Sequence, residues 1–269
     1  MRFVSLNAWG GQLWPELKAW VSTINADVLC LQEVICSPEP APDWLTYEDP
    51  NRKLAQRANL FGEVSALLPD HLGIFAPAAR GPLFDDAGCR FDTDHGVAMW
   101  VHRRHAITAA RCDFAYGTYR SNGWGEEPIP RALQMIRLNS PDLSRSVVLG
   151  HFHGLRHPSG KGDEPERRVQ TAQVMDHLTA LRQFEEPAIL AGDFNLLPDS
   201  HFFETMARVR MFDQISHHRV TDTRTSRYAK LQRYANYLLS SPGITIGNFD
   251  VPAHPEVSDH RPLILDFSV

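Results

Sequence analysis

Apolar residues in this chain change their period several times, and each change marks an expected element. Arg2 to Asn7 alternates like a short strand, whereas Trp14, Leu17, Val21 and Ile24 recur at helical spacing, with Asp27 closing the segment. Val28 to Leu31 is a continuous apolar run that stops at Gln32 and Glu33, the pattern of a buried strand with a carboxylate at its carboxyl end. Pro38, Pro40, Pro42 and Pro50 then predict a long loop from Cys36 to about Pro50, close to Glu33. Leu54 to Leu68 reads as a helix. Gly81 to Asp94 reads as a solvated acidic loop carrying Asp85, Asp86, Asp92 and Asp94.

Strands follow at Gly96 to His102, Ala132 to Leu138 and Ser146 to Phe152, with no long helix between them, so antiparallel neighbours are expected. Arg167 to Phe184 is the second clear helix, with Val174, Leu178 and Leu181 on one stripe. Pro187 to Ala191 returns to a buried strand that ends in Gly192-Asp193-Phe194-Asn195, and Tyr234 to Leu239 and Leu263 to Phe267 complete the strands. Helix-crossed strands combined with an antiparallel meander point to an α+β or mixed-layer fold. No repeat or linker interrupts the 269 residues, which with 43% hydrophobic content suit one large domain, 1–269.

Composition narrows the partners. Lys and Arg number 27 against 32 Asp and Glu, a formal charge of -5, which excludes a globally basic nucleic-acid wrapper and leaves a locally basic groove open. Cys30, Cys36, Cys89 and Cys112 form no CxxC pair, and Cys30 lies in an apolar strand, so a reduced, cytoplasmic protein is expected. The first residues turn polar at Asn7, and no run of about 18 apolar residues follows, so neither a signal sequence nor a membrane span is expected. A monomer is the expectation.

Polar residues cluster where strands begin or end. Asp193 and Asn195 are two apart after a strand and can project to one side, where a carboxylate binds a metal or takes a proton and an amide donates to an anion; the same residues also cap turns. Glu33 is a candidate ligand or simply a glutamate leaving the core. Asp259 and His260 stand side by side before the last strand, and both reach one site only if the backbone there is irregular. His151 and His153 share one strand face with His157 close behind, which suggests half of a zinc site. Leu155-Arg156 nevertheless stands where a His-x-His-x-Asp-His zinc motif needs Asp-His, and a histidine that donates protons or pairs with phosphate fits as well.

In their order, Asn7, Leu31-Gln32-Glu33-Val34, the histidine strand, Gly192-Asp193-Phe194-Asn195 and Ser258-Asp259-His260 resemble the endonuclease/exonuclease/phosphatase superfamily over nearly the whole chain. Gly96-Val97-Ala98-Met99, Pro130-Arg131-Ala132-Leu133 and Arg168 with Gln170 resemble its secondary signatures. His153-Gly154, Gly160-Lys161-Gly162-Asp163, Thr223-Arg224-Thr225-Ser226 and Ser241-Pro242-Gly243-Ile244 look like a bacterial branch. The resemblance implies a DNase I-like, four-layer α/β/β/α sandwich of two mixed, mostly antiparallel sheets with the site at one edge. It implies a phosphoesterase acting on DNA, RNA, a lipid head group or a small phosphate ester.

Site residues follow from the same resemblance. Glu33 would bind Mg²⁺, for which Mn²⁺ would substitute, with Asn7 and Asp259 near the ion or its water shell. Asp193 would orient or deprotonate the attacking water, Asn195 would hold a phosphoryl oxygen, and His153 and His260 would stabilise charge on the phosphate. One departure stands out: Asn236, in Tyr234-Ala235-Asn236-Tyr237-Leu238, occupies the place of an aspartate that hydrogen-bonds the terminal histidine, so a lower His260 pKa is expected. Lys161 and Arg224 are candidate phosphate contacts from loops, and Trp9, Trp14, Trp44 and Trp124 candidate stacking surfaces. A binding protein that keeps the fold without the chemistry is the alternative, and a histidine zinc hydrolase a more distant one.

Overall fold

Two parallel strand pairs, one in each of two sheets, set the geometry of the molecule. The structure is a computed structural model that describes residues 1–37, 40–49, 52–183 and 185–269. Pro38 and Pro50 of the proline-rich stretch and the expected helix end Phe184 lie outside the described residues.

In chain order the first strands are β1 (Arg2–Asn7), β2 (Val28–Cys36), β3 (Trp44–Asp49), β4 (Arg52–Arg57), β5 (His71–Phe84) and β6 (Arg90–His102). They are followed by β7 (Ala106–Tyr116), β8 (Arg131–Asn139), β9 (Val147–His153) and β10 (Ala188–Asp193). The last are β11 (Phe212–Asp213), β12 (Asn236–Ser240), β13 (Thr245–Asp250) and β14 (Leu263–Ser268). The helices are α1 (Trp14–Val21), α2 (Leu60–Leu67), α3 (Pro165–Leu181), α4 (His201–Arg208) and α5 (Gln214–His217). One sheet has the order β13-β14-β1-β2-β6-β5-β3-β4 and the other β11-β12-β10-β9-β8-β7. Both are antiparallel except where β1 pairs β2 and β9 pairs β10, and those parallel pairs need the crossovers that α1 and α3 supply.

Strand alternation builds the layers. Phe3, Cys30 and Met99 point into the core that the first sheet shares with Leu133, Met135 and Leu149 of the second, while Val4, Leu6, Leu29 and Leu31 pack with Leu17, Trp20, Leu60 and Val64 of α1 and α2. On the far side, Val174 and Leu178 of α3 close the second sheet. The outcome is the expected four-layer sandwich. Among the described residues no helix is long and apolar enough to cross a membrane.

Three sequence expectations are corrected. Leu54 to Leu68 is not one helix: Leu54 pairs with Tyr47 across β3–β4, and Asn59, whose side chain accepts from the Gly62 N–H at 3.2 Å, starts α2 afresh. The supposed acidic loop from Gly81 to Asp94 is mostly the β5–β6 hairpin, with Arg80 opposite Asp94 and Pro82 opposite Asp92. Asp94 accepts from the Tyr119 hydroxyl at 2.8 Å, so that carboxylate is paired rather than merely solvated. The proline-rich stretch after Cys36 ends in strand β3 rather than continuing as loop to Pro50.

Candidate active site

The carboxyl ends of both parallel pairs open on the same edge of the sandwich. Register places Asp193 beside His153 on β9 and beside Asn236 on β12, while Asn7 pairs with Gln32 on β2. Glu33 does not end its strand. β2 continues to Cys36, and a bulge between Gln32 and Val34 puts Glu33 at φ 56, turning its side chain out of the ladder and toward the site. Gly192 at φ 140 allows the close approach of β10 to β9, since a Cβ there would lie 2.1 Å from the Phe152 carbonyl oxygen.

Asp193 is the hub. Its Oδ2 accepts from the Asn7 amide at 3.0 Å, its Oδ1 from the Asn195 N–H at 3.0 Å, and Nε2 of His260 and of His153 stand 3.4 Å and 3.7 Å from Oδ2. Burial alone would raise its carboxyl, but His260, Arg224, Lys161 and the Asn7 amide outweigh that and hold it below the ordinary carboxylate range. The same Asn7 nitrogen donates to Glu33 at 3.0 Å, and the Asn7 amide oxygen is occupied by the Trp9 N–H at 2.9 Å. Asn7 therefore faces the carboxylates as a donor. Asn195, at φ 54, donates its amide to the Gly154 carbonyl at 3.2 Å.

Each histidine has a defined tautomer. Asn236 spends its nitrogen on the Arg261 carbonyl at 2.9 Å, so its oxygen meets Nδ1 of His260 at 2.6 Å and that nitrogen carries the proton. Nε2 of His260 is then the acceptor, hydrogen-bonded by Arg224 and facing Asp193. On His153 the Arg131 guanidinium stands 3.5 Å from Nδ1, leaving Nε2–H directed at Glu33 and Asp193. Burial, with Arg224 and Arg131 adding respectively, pushes His260 and His153 well below the usual imidazole range.

Loop cations complete the site. Arg224 is buried, donates to Asp259 at 2.8 Å and stacks on Tyr228, with 4.1 Å from guanidinium carbon to ring centroid. Arg131, also buried, is pushed down to about 10 by burial although Glu33 and Asp193 hold it up. Lys161 donates to the Tyr234 carbonyl and is lowered to about 8 by burial. The sequence marks Arg131 only within the Pro130-Arg131-Ala132-Leu133 signature, which gives it no role.

His151 takes no part in this surface. It is fully buried between the sheets, where Nδ1 meets the Gln32 amide at 3.1 Å and Nε2 the Gln134 carbonyl oxygen at 2.8 Å. His157 turns away to Ser159 at 2.7 Å and Glu166 at 3.6 Å. With both His151 nitrogens engaged and His157 elsewhere, the zinc arrangement suggested by the histidine spacing does not form.

The chemistry of the donor set suits a hard cation. Glu33, Asp193 and Asp259 bring oxygen donors to the lining of one cavity, although among the described residues no three of His, Cys, Asp and Glu stand close enough to cage a metal by themselves; Asp259 is raised to about 7 by burial, with Glu33 and Asp193 adding to the rise and Arg224 opposing it. A divalent ion beside these groups would relieve that repulsion. Glu33, His153, Asp193, Arg224, Asp259 and His260 line one cavity of about 450 Å³.

A model described as the Endonuclease/Exonuclease/phosphatase family matches residues 4–260. Among solved structures, a Bacteroides thetaiotaomicron mannosyl-6-phosphatase is similar with 15% identity and a TM-score of 0.69, covering 99% of this chain and 99% of that one. The human Nocturnin catalytic domain, with bound sulfate, is similar with 18% identity and a TM-score of 0.68, covering 100% of this chain and 93% of that one. An endonuclease/exonuclease/phosphatase from Bacteroides vulgatus is similar with 16% identity and a TM-score of 0.68, covering 99% and 97%. At these identities the likeness is one of fold. Among curated proteins no sequence matches this chain.

Proposed function

Because the chain belongs to the endonuclease/exonuclease/phosphatase family, whose members hydrolyse phosphoester bonds, we propose that it is a Mg²⁺-dependent phosphoesterase attacking a phosphodiester or phosphate ester with water. The observation that carries this reading is the convergence of Asn7 and His260 on Asp193, with Glu33 brought by the β2 bulge to the same Asn7 amide. A structural cluster would have no need of an ionised carboxylate facing a cavity.

Asp193 is held by two N–H donors in one orientation, which suits it to align the attacking water and take its proton. His260, with Nδ1–H fixed by Asn236, has its Nε2 lone pair bonded by Arg224 and becomes a second proton acceptor only when that guanidinium turns to the phosphate; once charged, it donates to the phosphate. His153 directs Nε2–H toward the place of the phosphoryl oxygens, Asn195 offers them the amide hydrogen not given to Gly154, and Arg131 and Arg224 set a positive potential around them. A divalent ion held by Glu33 and Asp259 would supply Lewis-acid stabilisation of the charge that builds on phosphate. Asn7 aligns Glu33 and Asp193 as a donor, and its oxygen, which accepts from the Trp9 N–H, keeps a second lone pair for the ion or its water shell.

The test is a substrate panel. Purified protein with Mg²⁺ is expected to hydrolyse at least one of a chromogenic diester, DNA, RNA, a phospholipid head group or a sugar phosphate. Absence of turnover across the whole panel would refute the reading in favour of a binding protein.

A further inference from the structure

Beyond the phosphate-handling residues, the cavity continues along an aromatic wall to which the chemistry above assigns no task. Trp124 comes from the segment between β7 and β8, and its indole N–H donates to the Pro82 carbonyl at 3.0 Å. Its ring lies over Gly81 of β5, where a Cβ would come within 2.6 Å of Cε2 and 2.7 Å of Cδ2. Those two atoms form the bond shared by the indole rings, so the missing side chain makes room for the ring face. Trp124 is thereby fixed before any ligand arrives. Tyr47 tilts against it at a centroid distance of 5.9 Å, and Leu54, opposite Tyr47 on β4, extends the apolar surface.

The wall runs toward the reacting centre. His95 meets Trp124 edge-on at 6.0 Å, and burial, with the Arg131 charge adding, pushes it down to about 4, so it is neutral at physiological pH. Glu127 lies 3.7 Å from Arg156, and the two charges at the rim offset each other. One side of the cavity is therefore aromatic and uncharged, while Arg131 and Arg224 at the floor are cationic.

We propose that this wall is a subsite for the alcohol part of the substrate, and that the substrate is a small phosphate ester carrying one flat ring system, the class of mononucleotides and their small diesters. The proposal rests on the phosphoesterase reading above. A cavity of about 450 Å³ falls in the range that encloses one small ligand rather than a polymer strand. The face of a fixed indole binds any planar ring by stacking, with little demand on its hydrogen-bonding edge. Sugar phosphates present no such face, and the net charge of -5 disfavours long polyanions.

The test uses the full chain with Mg²⁺ and three probes, adenosine monophosphate, ribose phosphate and a short DNA strand, with calorimetry on an Asp193→Asn background so that nothing is consumed. Adenosine monophosphate is expected to bind roughly ten-fold tighter than ribose phosphate, and that gap to collapse in Trp124→Leu and shrink in Tyr47→Ala. Tyr47→Ala keeps the test alive if Trp124→Leu does not fold. Equal affinity for the two small probes, no binding of either, a gap unmoved by both variants, or tighter binding of the DNA strand would each overturn the subsite. Turnover by the unmutated chain is read separately: turnover without ring preference defeats only the subsite, and ring-dependent binding without turnover defeats only the phosphoesterase reading.

Discussion

Nδ1 of His260 lies 2.6 Å from Oδ1 of Asn236, an amide whose nitrogen is committed to the Arg261 carbonyl. The amide orients the ring as well as a carboxylate would but does not stabilise its charged form. Asn236→Asp should therefore raise the His260 pKa and move the pH-rate limb that reports this histidine to higher pH, with the ring geometry kept. A profile that stays in place would remove Asn236 from the account of His260.

Arg224 couples Asp259 to His260, and its removal strands both. Arg224→Ala is expected to raise Asp259 further, so that it is protonated at neutral pH, and to lower stability by about 1–3 kcal/mol through the hydrogen bonds lost at Asp259 and His260. Activity should fall by more than about a hundred-fold, since the same guanidinium faces the phosphate position. Denaturant unfolding alongside steady-state rates separates the two effects; a variant of unchanged stability would contradict the buried pairing.

Strand ends made much of this site legible in the sequence. Asn7 and Asp193 sit where an apolar run stops and His260 just before one begins; the ends of the strands in the parallel pairs share one edge, and the antiparallel pairing of β14 with β1 brings His260 to it. Glu33 was found for a reason only partly right, because the bulge at Gln32 and Val34, which no residue type announces, turns it toward the site. Arg224 looked like an ordinary loop cation; only the chain path puts Tyr228 on its face and Asp259 at its end. Leu54 and Ala55 lie in the pattern of a helix, yet pairing of Leu54 with Tyr47 and Ala55 with Thr46 overrides it, so the hairpin that brings Tyr47 and Leu54 beside Trp124 is not legible in the sequence. β7 and β13, with polar residues interspersed along them, gave no clear apolar run to read.

Away from the site, Glu186 holds Arg137 at 2.9 Å and closes the end of α3. Burial would raise its carboxyl, but hydrogen bonds from Ser146, the Gln183 N–H and Arg137 hold it below the ordinary range. A depressed carboxylate contributes stability that is fully present above its unfolded value of about 4.3 and is lost as pH falls through the folded value. The stability difference between the unmutated chain and Glu186→Gln should accordingly be full at neutral pH and close in acid below about pH 4. A difference independent of pH would show that the carboxylate charge is not what matters.

Gly192→Ala should damage the site region severely. Its Cβ would meet the Phe152 carbonyl oxygen at 2.1 Å, and backbone cannot yield as a side chain does. A loss of roughly 3 kcal/mol is expected by thermal unfolding, together with loss of activity as Asp193 shifts away from His153. Full activity in a folded Gly192→Ala variant would contradict the required closeness of β9 and β10.

The most direct measurement is hydrolysis of a chromogenic phosphodiester by the purified chain, followed through chelation and re-addition of Mg²⁺, with Asp193→Asn in parallel. Turnover that disappears with chelator, returns with Mg²⁺ and falls by at least about a hundred-fold in a folded Asp193→Asn variant is the expected result. Turnover indifferent to chelation, or undiminished in Asp193→Asn, would contradict the roles given to Glu33, Asp259 and Asp193.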